Sequence, residues 1–585
     1  MKSMNNLKKV TLGALSLLMV GVSCSDEFLD VAPTGSLSEA QVGTKNGIEG
    51  LLIGTYAALN GVFGNRFEGP NHWATGSIMG GDANKGTDSG DYATLNPIQR
   101  YETDPTSDDL RQLWRGRYEG VSRANKVLAA VANSTELTAA DAARIAGEAR
   151  LLRGHFYFDL KKHFNSIPVF DETVLAADIP SIPNTPDVWG FIEADFQFAF
   201  DNLPAENGPG RVNKWAAGAY MGKAKLFQQK FGEAITWFDD VIENGVTSNG
   251  LKYALLDDYA QIYNAENDNH AEAVMDVESA NETGNVQNAN AFDDLNYPYN
   301  TGPDGPGNCC GFFQPSMALA NSFRTGADGL PLLDGSYNDP ANEVDNIYRH
   351  VFTNGNDEST FVEDPNPLDP RIDHSIGRKG IPYLDWIEHP GSAWIRSFAY
   401  AGPYSPKKYI YYRSQENSFT DGSSWTRGYA TMNYTIIRFA DVLLMAAEAE
   451  VEAGSLDKAL DYVNRVRARA ANSEHWVKEY DSGENAANYV ISEYTSFPNQ
   501  DFARRAVRFE RKLELSGEGH RFFDLVRWGV AAEELNAYLD YESQYLVTKF
   551  GGARFTPNKN EYYPIPQSQI DIQGSDVLTQ NNGYN

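Results

Sequence analysis

The sequence predicts a mostly α-helical body that carries one large loop-rich insertion, and three observations predict it. Apolar residues step by three and four through long stretches near both ends of the chain, as on one face of a helix. Two of those stretches place small residues where closely crossing helices need them. Between them, residues 265–435 change texture to Gly, Pro, Asn and Asp interleaved with aromatic residues. The 585 residues, 42% of them hydrophobic, are ample for a folded core. A formal charge of −30 excludes a nucleic-acid partner, because phosphate binding needs stripes of Lys and Arg.

In chain order, Lys2, Lys8 and Lys9 flank an apolar run from Val10 to Val22. The run is shorter than the roughly 20 residues that span a bilayer and suits the core of an export signal. Ser23-Cys24 then looks like a bacterial lipobox, with residues 1–23 removed and Cys24 lipidated; Gly21 stands where Leu is usual. A first helix is expected from Leu37 to Leu59, capped by Ser36 or Ser38. Residues 60–107 read as Gly-, Asn- and Asp-rich loop, the kind of segment that holds binding groups on a rigid body. Helices follow over Leu113–Val131 and Thr138–Phe164. In 215–243, Gly222, Phe231, Ala234 and Phe238 fit the frame of a tetratricopeptide helix pair, and Ala447, Leu456, Ala459, Val463 and Val466 repeat it in 441–469. Helices return over Asp501–Leu515 and Arg521–Ala532, and the segment before Pro564 and Pro566 should be extended.

Four stretches carry a family resemblance: Cys24-Ser-Asp-Glu-Phe-Leu-Asp30; Gly147-Glu-Ala-Arg-Leu-Leu-Arg-Gly-His-Phe-Tyr-Phe-Asp159; Arg438-Phe-Ala-Asp-Val-Leu-Leu-Met-Ala-Ala-Glu-Ala-Glu450; and Glu510-Arg-Lys-Leu-Glu-Leu-Ser-Gly-Glu-Gly-His-Arg-Phe-Phe-Asp-Leu-Val-Arg-Trp528. With the Tyr563-Pro-Ile-Pro566 ending, their order and spacing resemble the SusD/RagB family of outer-membrane glycan-binding lipoproteins. The resemblance implies about four tetratricopeptide-like helix pairs, a lipid anchor at the cell surface, and a role as lid of a SusC-like TonB-dependent porin that imports oligosaccharide. It implies one body over 24–585, with the helical scaffold in 36–264 and 436–585 and the ligand-binding part mainly in 60–107 and 265–435. Ser25, Asp26 and Glu27 resemble the surface-export tag of such lipoproteins.

A sugar offers hydroxyls to hydrogen-bonding side chains and apolar C–H faces to flat rings, so a capture site should set aromatic plates beside Asp, Asn and Arg. Trp73 with Asp82 and Asn84 is the first such grouping. The second runs from Tyr297 to Tyr412, where Tyr297, Tyr299, Phe312 and Phe313 bracket Cys309 and Cys310, followed by Arg371, Asp373, Arg378, Trp386, Trp394, Arg396, Tyr400 and Tyr404. The adjacent cysteines are either unpaired or a vicinal disulfide, which would form a rigid plate for a sugar ring. The expected glycan-binding set is Trp73, Asp82, Asn84, Cys309, Cys310, Arg378, Trp386, Trp394 and Tyr404, with core packing the competing reading of each ring. Asp82, Asn84 and Asp88 echo a calcium loop, but position 93 is Ala where the bidentate Glu belongs, so no metal is expected. No pattern calls for a cofactor. Glu510, Arg511, Glu514, Glu518, His520, Arg521, Asp524 and Arg527 invite a catalytic reading, against which ion pairs and caps are the expectation. The competing function classes are a helical glycoside hydrolase, which needs two facing carboxylates, and a peptide receptor on a concave helical surface.

Overall fold

The computed structural model describes residues 42–584 except 291, 346–357, 359–360, 424 and 428. The export signal, Cys24, and the Ser36 and Ser38 caps lie outside the described residues. The first described helix, α1 (Lys45–Ala57), is capped by Thr44, whose side chain accepts from the Gly47 amide. Two long helices follow: α2 (Asp108–Asn133), capped by Ser107, and α3 (Ala139–Phe164), capped by Thr138. Then come α4 (Trp189–Asn202), α5 (Lys214–Phe227) and α6 (Phe231–Asn244). After the insertion the series resumes with α7 (Phe439–Ala453), α8 (Leu456–Ala470), α9 (Gln500–Glu514), α10 (Arg521–Arg527) and α11 (Ala531–Glu542). The segment expected to run from Arg521 to Ala532 therefore breaks in two, where Gly529 takes a positive φ of 72°.

Each helix packs on the next, α2 on α3, α3 on α4, and so on through α6 on α7 and α7 on α8 and α9. The crossings are as close as the small residues predict. A Cβ at Gly222 would stand 2.5 Å from the Phe238 ring, one at Gly120 2.5 Å from Phe156, and one at Gly154 2.5 Å from Phe196. Ala234, Ala447, Ala459, Val463 and Val466 are all fully buried along the same seams. No helix among the described residues is long and apolar enough to cross a membrane.

The insertion leaves the scaffold after α6 and returns at α7, and a two-stranded ladder closes its neck. Strand β2 (Ala273–Val277) pairs antiparallel with β6 (Tyr434–Arg438), Ala273 opposite Arg438 and Val277 opposite Tyr434. Residues 60–107 do not form the exposed loop their composition suggests. Phe67–Thr87 is buried throughout apart from half-buried His72, and it includes a π-helical turn at Trp73–Ile78. Strand β1 (Ala83–Gly86) then pairs antiparallel with β3 (Phe312–Pro315) of the insertion, Gly86 opposite Phe312. This pairing places the Cys309–Cys310 loop directly beside the scaffold.

Candidate functional site

Cys309 and Cys310 are joined by a disulfide between neighbours in sequence. The backbone around them is fixed from several sides. The Cys310 amide donates to the Leu295 carbonyl at 3.2 Å, the Gly311 amide to Tyr297 at 2.9 Å, and the Thr87 amide to the Gly311 carbonyl at 2.5 Å. Gly307 and Gly311 flank the pair with φ of 71° and 76°, a region L side chains avoid, and a Cβ at Gly307 would fall 2.3 Å from the Tyr297 ring. Cys310 is buried, while Cys309 is half-buried and Asn308 exposed.

A hairpin leans over this loop. Strands β4 (Thr420–Asp421) and β5 (Tyr429–Ala430) pair antiparallel, with Trp425, Thr426 and Arg427 between them. Thr426 Oγ1 donates to the Gly307 carbonyl at 3.0 Å, and Arg427 Nη1 donates to the carbonyls of Gly305, at 2.8 Å, and Gly302. The Tyr411 hydroxyl accepts from the Gly307 amide at 2.9 Å and donates to the Arg427 carbonyl at 3.2 Å. Burial pushes that hydroxyl up to about 12, so it stays a donor. Between hairpin and loop lies an open groove of about 520 Å³, lined by Asn308, Cys309, Glu416, Asn417, Trp425 and Arg427 among others.

Trp425 is the dominant feature of this groove. The residue is 62% exposed, yet its indole edge is tethered, because Nε1 donates to Asp294 Oδ2 at 3.2 Å. Asp294 is itself buried and held by Arg66, with Nε at 2.5 Å and Nη2 at 2.6 Å, and by the Tyr429 hydroxyl at 3.1 Å. An indole with a tethered edge and an uncovered face is a stacking platform for an apolar surface. On the other side of the disulfide loop, Arg396 lies over the Tyr299 ring at 5.5 Å and pairs with Asp88 at 2.9 Å and Asp91 at 2.5 Å.

Of the residues expected to hold sugar, Cys309 alone lines this groove; its disulfide partner Cys310 is buried. Trp73, 2% exposed, stands edge-on to Phe312 and Phe313. Asn84 is buried on β1, donating to the Ala401 carbonyl at 2.9 Å and accepting from Lys549 Nζ at 2.5 Å. Arg378 is buried between Asp373 at 2.7 Å and Asp345 at 2.9 Å. Trp394, 4% exposed, packs edge-on to Tyr383 and His389, and the Tyr404 hydroxyl donates into the interior to the Val344 carbonyl at 3.3 Å. Trp386 is also 4% exposed, donates to the Tyr411 carbonyl at 3.1 Å, and lies 5.6 Å from the Arg427 guanidinium, so it supports the groove from beneath. For Trp73, Asn84, Arg378, Trp394 and Tyr404 the geometry is that of packing and internal pairing. Arg371, also grouped with them by sequence, is buried against Asp369 and Glu510.

Asp82 is buried too, accepting from the Gly517 amide at 3.0 Å, and burial pushes its carboxyl up to about 6. With Trp73, Asn71, Asn296, Tyr409 and Ser516 it lines a small interior cavity of about 30 Å³, and Asp82 Oδ1, Trp73 Nε1 and the Tyr409 hydroxyl meet no protein partner there. The space matches a few ordered waters and is far too small for a sugar. The calcium-loop echo does not assemble: Asp88 turns out to the surface, and among the described residues no group of three or more His, Cys, Asp or Glu is placed to hold a metal.

The charged C-terminal cluster forms an interior seam. Glu514 meets Arg438 at 2.6 Å, Arg371 at 3.0 Å, and Arg469; Glu518 meets Arg438 at 2.8 Å and Lys408 at 2.7 Å; Glu510 meets Arg371 at 2.6 Å and Arg467 at 2.8 Å. Arg511, expected to pair along its own helix, instead reaches Asp441 at 2.8 Å and Asp524 at 3.0 Å. Burial alone would raise the Glu518 carboxyl, but Arg438 and Lys408 outweigh it and hold the group down at about 2. These carboxylates tie α9 to α7, α8 and the insertion.

Sequence reasoning missed Trp425, Arg427, Glu416, Asn308 and Asn417. A signal for Trp425 existed. It stands in Gly422-Ser-Ser-Trp-Thr-Arg-Gly428 with no apolar residue within three positions, whereas Trp386 has Leu384 and Ile387 nearby and Trp394 has Ala393 and Ile395.

Comparison with known proteins places the chain and its fold in a family. The family described as the SusD family matches residues 271–584, and one described as "Starch-binding associating with outer membrane" matches residues 27–226. The chain is 25% identical to SusD-like protein P25 of Formosa agariphila over 80% of this chain and 79% of that protein. It is 23% identical to a SusD-like protein of Bacteroides ovatus over 98% and 95%. Among solved structures, a SusD-like protein from Bacteroides fragilis superposes with a TM-score of 0.69 at 20% identity, covering 94% of this chain and 99% of that one. Surface glycan-binding protein A of Bacteroides thetaiotaomicron, in complex with laminarihexaose, does so at 0.62 and 19% identity, covering 92% and 100%.

Proposed function

From a chain that belongs to the SusD family, we propose a cell-surface lipoprotein that captures oligosaccharide without cutting it and delivers it to a SusC-like TonB-dependent transporter. The observation that carries the reading is Trp425, an exposed indole tethered by its edge above an open groove. Asn308 and Asn417 put amide donors and acceptors on the same wall, and half-buried Cys309 adds an apolar edge. Stacking for sugar C–H faces and amides for hydroxyls are the two things capture needs. The relative crystallised with laminarihexaose shares the fold, which supports an oligosaccharide as the ligand class.

Capture requires no group of shifted pKa and no nucleophile, and the carboxylates that most invite a hydrolytic reading, Glu510, Glu514 and Glu518, are sealed in ion pairs. Affinity electrophoresis of the full-length chain in detergent on a polysaccharide panel tests the proposal. Retardation on at least one glycan, lost in Trp425→Ala and with no shortened products on chromatography of the recovered glycan, is expected. Retardation that survives Trp425→Ala moves the site elsewhere, and shortened products return the hydrolase. Anchoring through Cys24 is tested by Cys24→Ala, which should move the protein from the membrane fraction to the soluble one.

A further inference from the structure

The groove at Trp425 has both signs of charge on its wall and leaves neither free. Arg427 and Glu416 are the two charged residues lining it, and they are paired, with Nε 3.0 Å from Oε1 and Nη2 on the same oxygen. Nη1 is spent on the carbonyls of Gly302 and Gly305. A guanidinium captures carboxylate or sulfate through two parallel N–H groups on one edge. In Arg427 the Nε edge faces Glu416, and Nη1 is turned into the backbone.

The cations next to the groove are committed in the same way. Arg66 forks onto Asp294, and Arg396 is shared by Asp88 and Asp91. Arg413, whose guanidinium lies 5.9 Å from the Trp386 ring, does not line the groove. Among the described residues lining the groove, an acidic sugar would find no cation at liberty, and it would approach Glu416 and Asp294. What the wall offers instead is one aromatic face and the amides of Asn308 and Asn417, which answer hydroxyls.

We infer that this groove selects an uncharged glycan, whose rings carry hydroxyls rather than carboxylate or sulfate groups. The inference rests on the groove being the glycan site and adds the class of ligand it takes. Local pairing, rather than the repulsion set up by a chain charge of −30, does the selecting, so the preference should persist when salt screens everything beyond a few ångströms.

The test uses the full-length chain in detergent against neutral polysaccharides (laminarin, starch, inulin, xylan) and acidic ones (alginate, polygalacturonate, chondroitin sulfate), then titrates the best neutral ligand against its chemically sulfated form at 0.05 and 0.5 M NaCl. A neutral glycan should bind best, and sulfation should weaken it at least tenfold at both salt concentrations. Glu416→Gln, which releases the guanidinium edge, should recover part of the sulfated affinity. An acidic glycan that binds best and is lost in Trp425→Ala keeps the site and overturns this inference alone. A sulfation penalty that vanishes at 0.5 M NaCl, or a sulfated ligand indifferent to Glu416→Gln, also overturns it. Retention of no glycan at all overturns the site and this inference together.

Discussion

The seam around Arg438 and the rim around Trp425 are both built of arginines bound to carboxylates, and they differ in what the pairing leaves uncovered. At the seam, Arg438 is enclosed by Glu272, Glu514 and Glu518, and nothing reaches solvent. At the rim, Arg427 with Glu416 and Arg66 with Asp294 hold a hairpin in place, and an indole face is left bare above them. The same chemistry assembles the fold in one place and presents a surface in the other. A concentration of charge therefore does not mark the proposed site in this molecule; an exposed aromatic residue does.

That contrast can be broken most severely at the seam. Arg438→Met would take the shared cation from three buried carboxylates, leaving Glu272 to Arg469, Glu514 to Arg371 and Arg469, and Glu518 to Lys408; removing one partner of a buried ion pair costs about 3–5 kcal/mol, and the denaturation midpoint should drop accordingly or the chain fail to accumulate folded. Trp394→Ala comes next, since emptying a buried tryptophan site costs about 3–5 kcal/mol where the surroundings cannot collapse. Its melting temperature should fall, and any loss of glycan binding should follow from that fall. Trp425→Ala sharpens the opposite side: glycan affinity should drop about tenfold, ~1.4 kcal/mol, while stability moves by no more than about 0.5 kcal/mol. A destabilised Trp425→Ala or a fully stable Trp394→Ala would erase the distinction.

The smallest effect expected near neutrality is that of pH. Asp82 and Asp293, both raised to about 6 by burial, gain stability as pH falls through that value, whereas buried His520 and His374, lowered to about 4, lose it as pH falls from 6.5. These contributions oppose each other between pH 5 and 7, so the melting temperature should be nearly level there. Below about pH 4 both contributions are spent. Glu518, held at about 2, and Glu514, held lower still, lose their ion pairs as they protonate. A steep acid limb should appear, and a melting temperature falling steadily from pH 7 would show the histidines outweighing the raised carboxylates.

The helical body was legible because its signal is periodic and local. Ala459 and Val463 are spaced by α8 itself, as Ala234 and Phe238 are by α6, and the close crossing of Phe238 on Gly222 of α5 followed. The groove proposed as the site is of the class that the sequence suggests, an aromatic ring beside polar groups in irregular sequence, but it is lined mostly by other residues than those expected. Trp73, Asp82 and Asn84 sit among the same glycines and asparagines as an exposed loop would, and what buries them is a strand pairing with residues more than two hundred positions away. Composition cannot register a contact of that range. Cys309, the expected residue that does line the proposed groove, stands out because two adjacent cysteines are conspicuous in any sequence. Trp425 was overlooked although its neighbours lack anything for a ring to pack on.

The ladder between β2 and β6 has a consequence for how such a protein can change. Because Val277 and Tyr434 face each other, the chain departs and re-enters at nearly one point. Lengthening such an excursion is cheap in closure entropy, about 0.6 kcal/mol for each doubling. The neck makes the excursion a cassette: a differently shaped grip can be spliced at the same two strands, provided that it keeps the anchors at Phe312–Pro315, Arg371 and Lys408 that the chassis grasps.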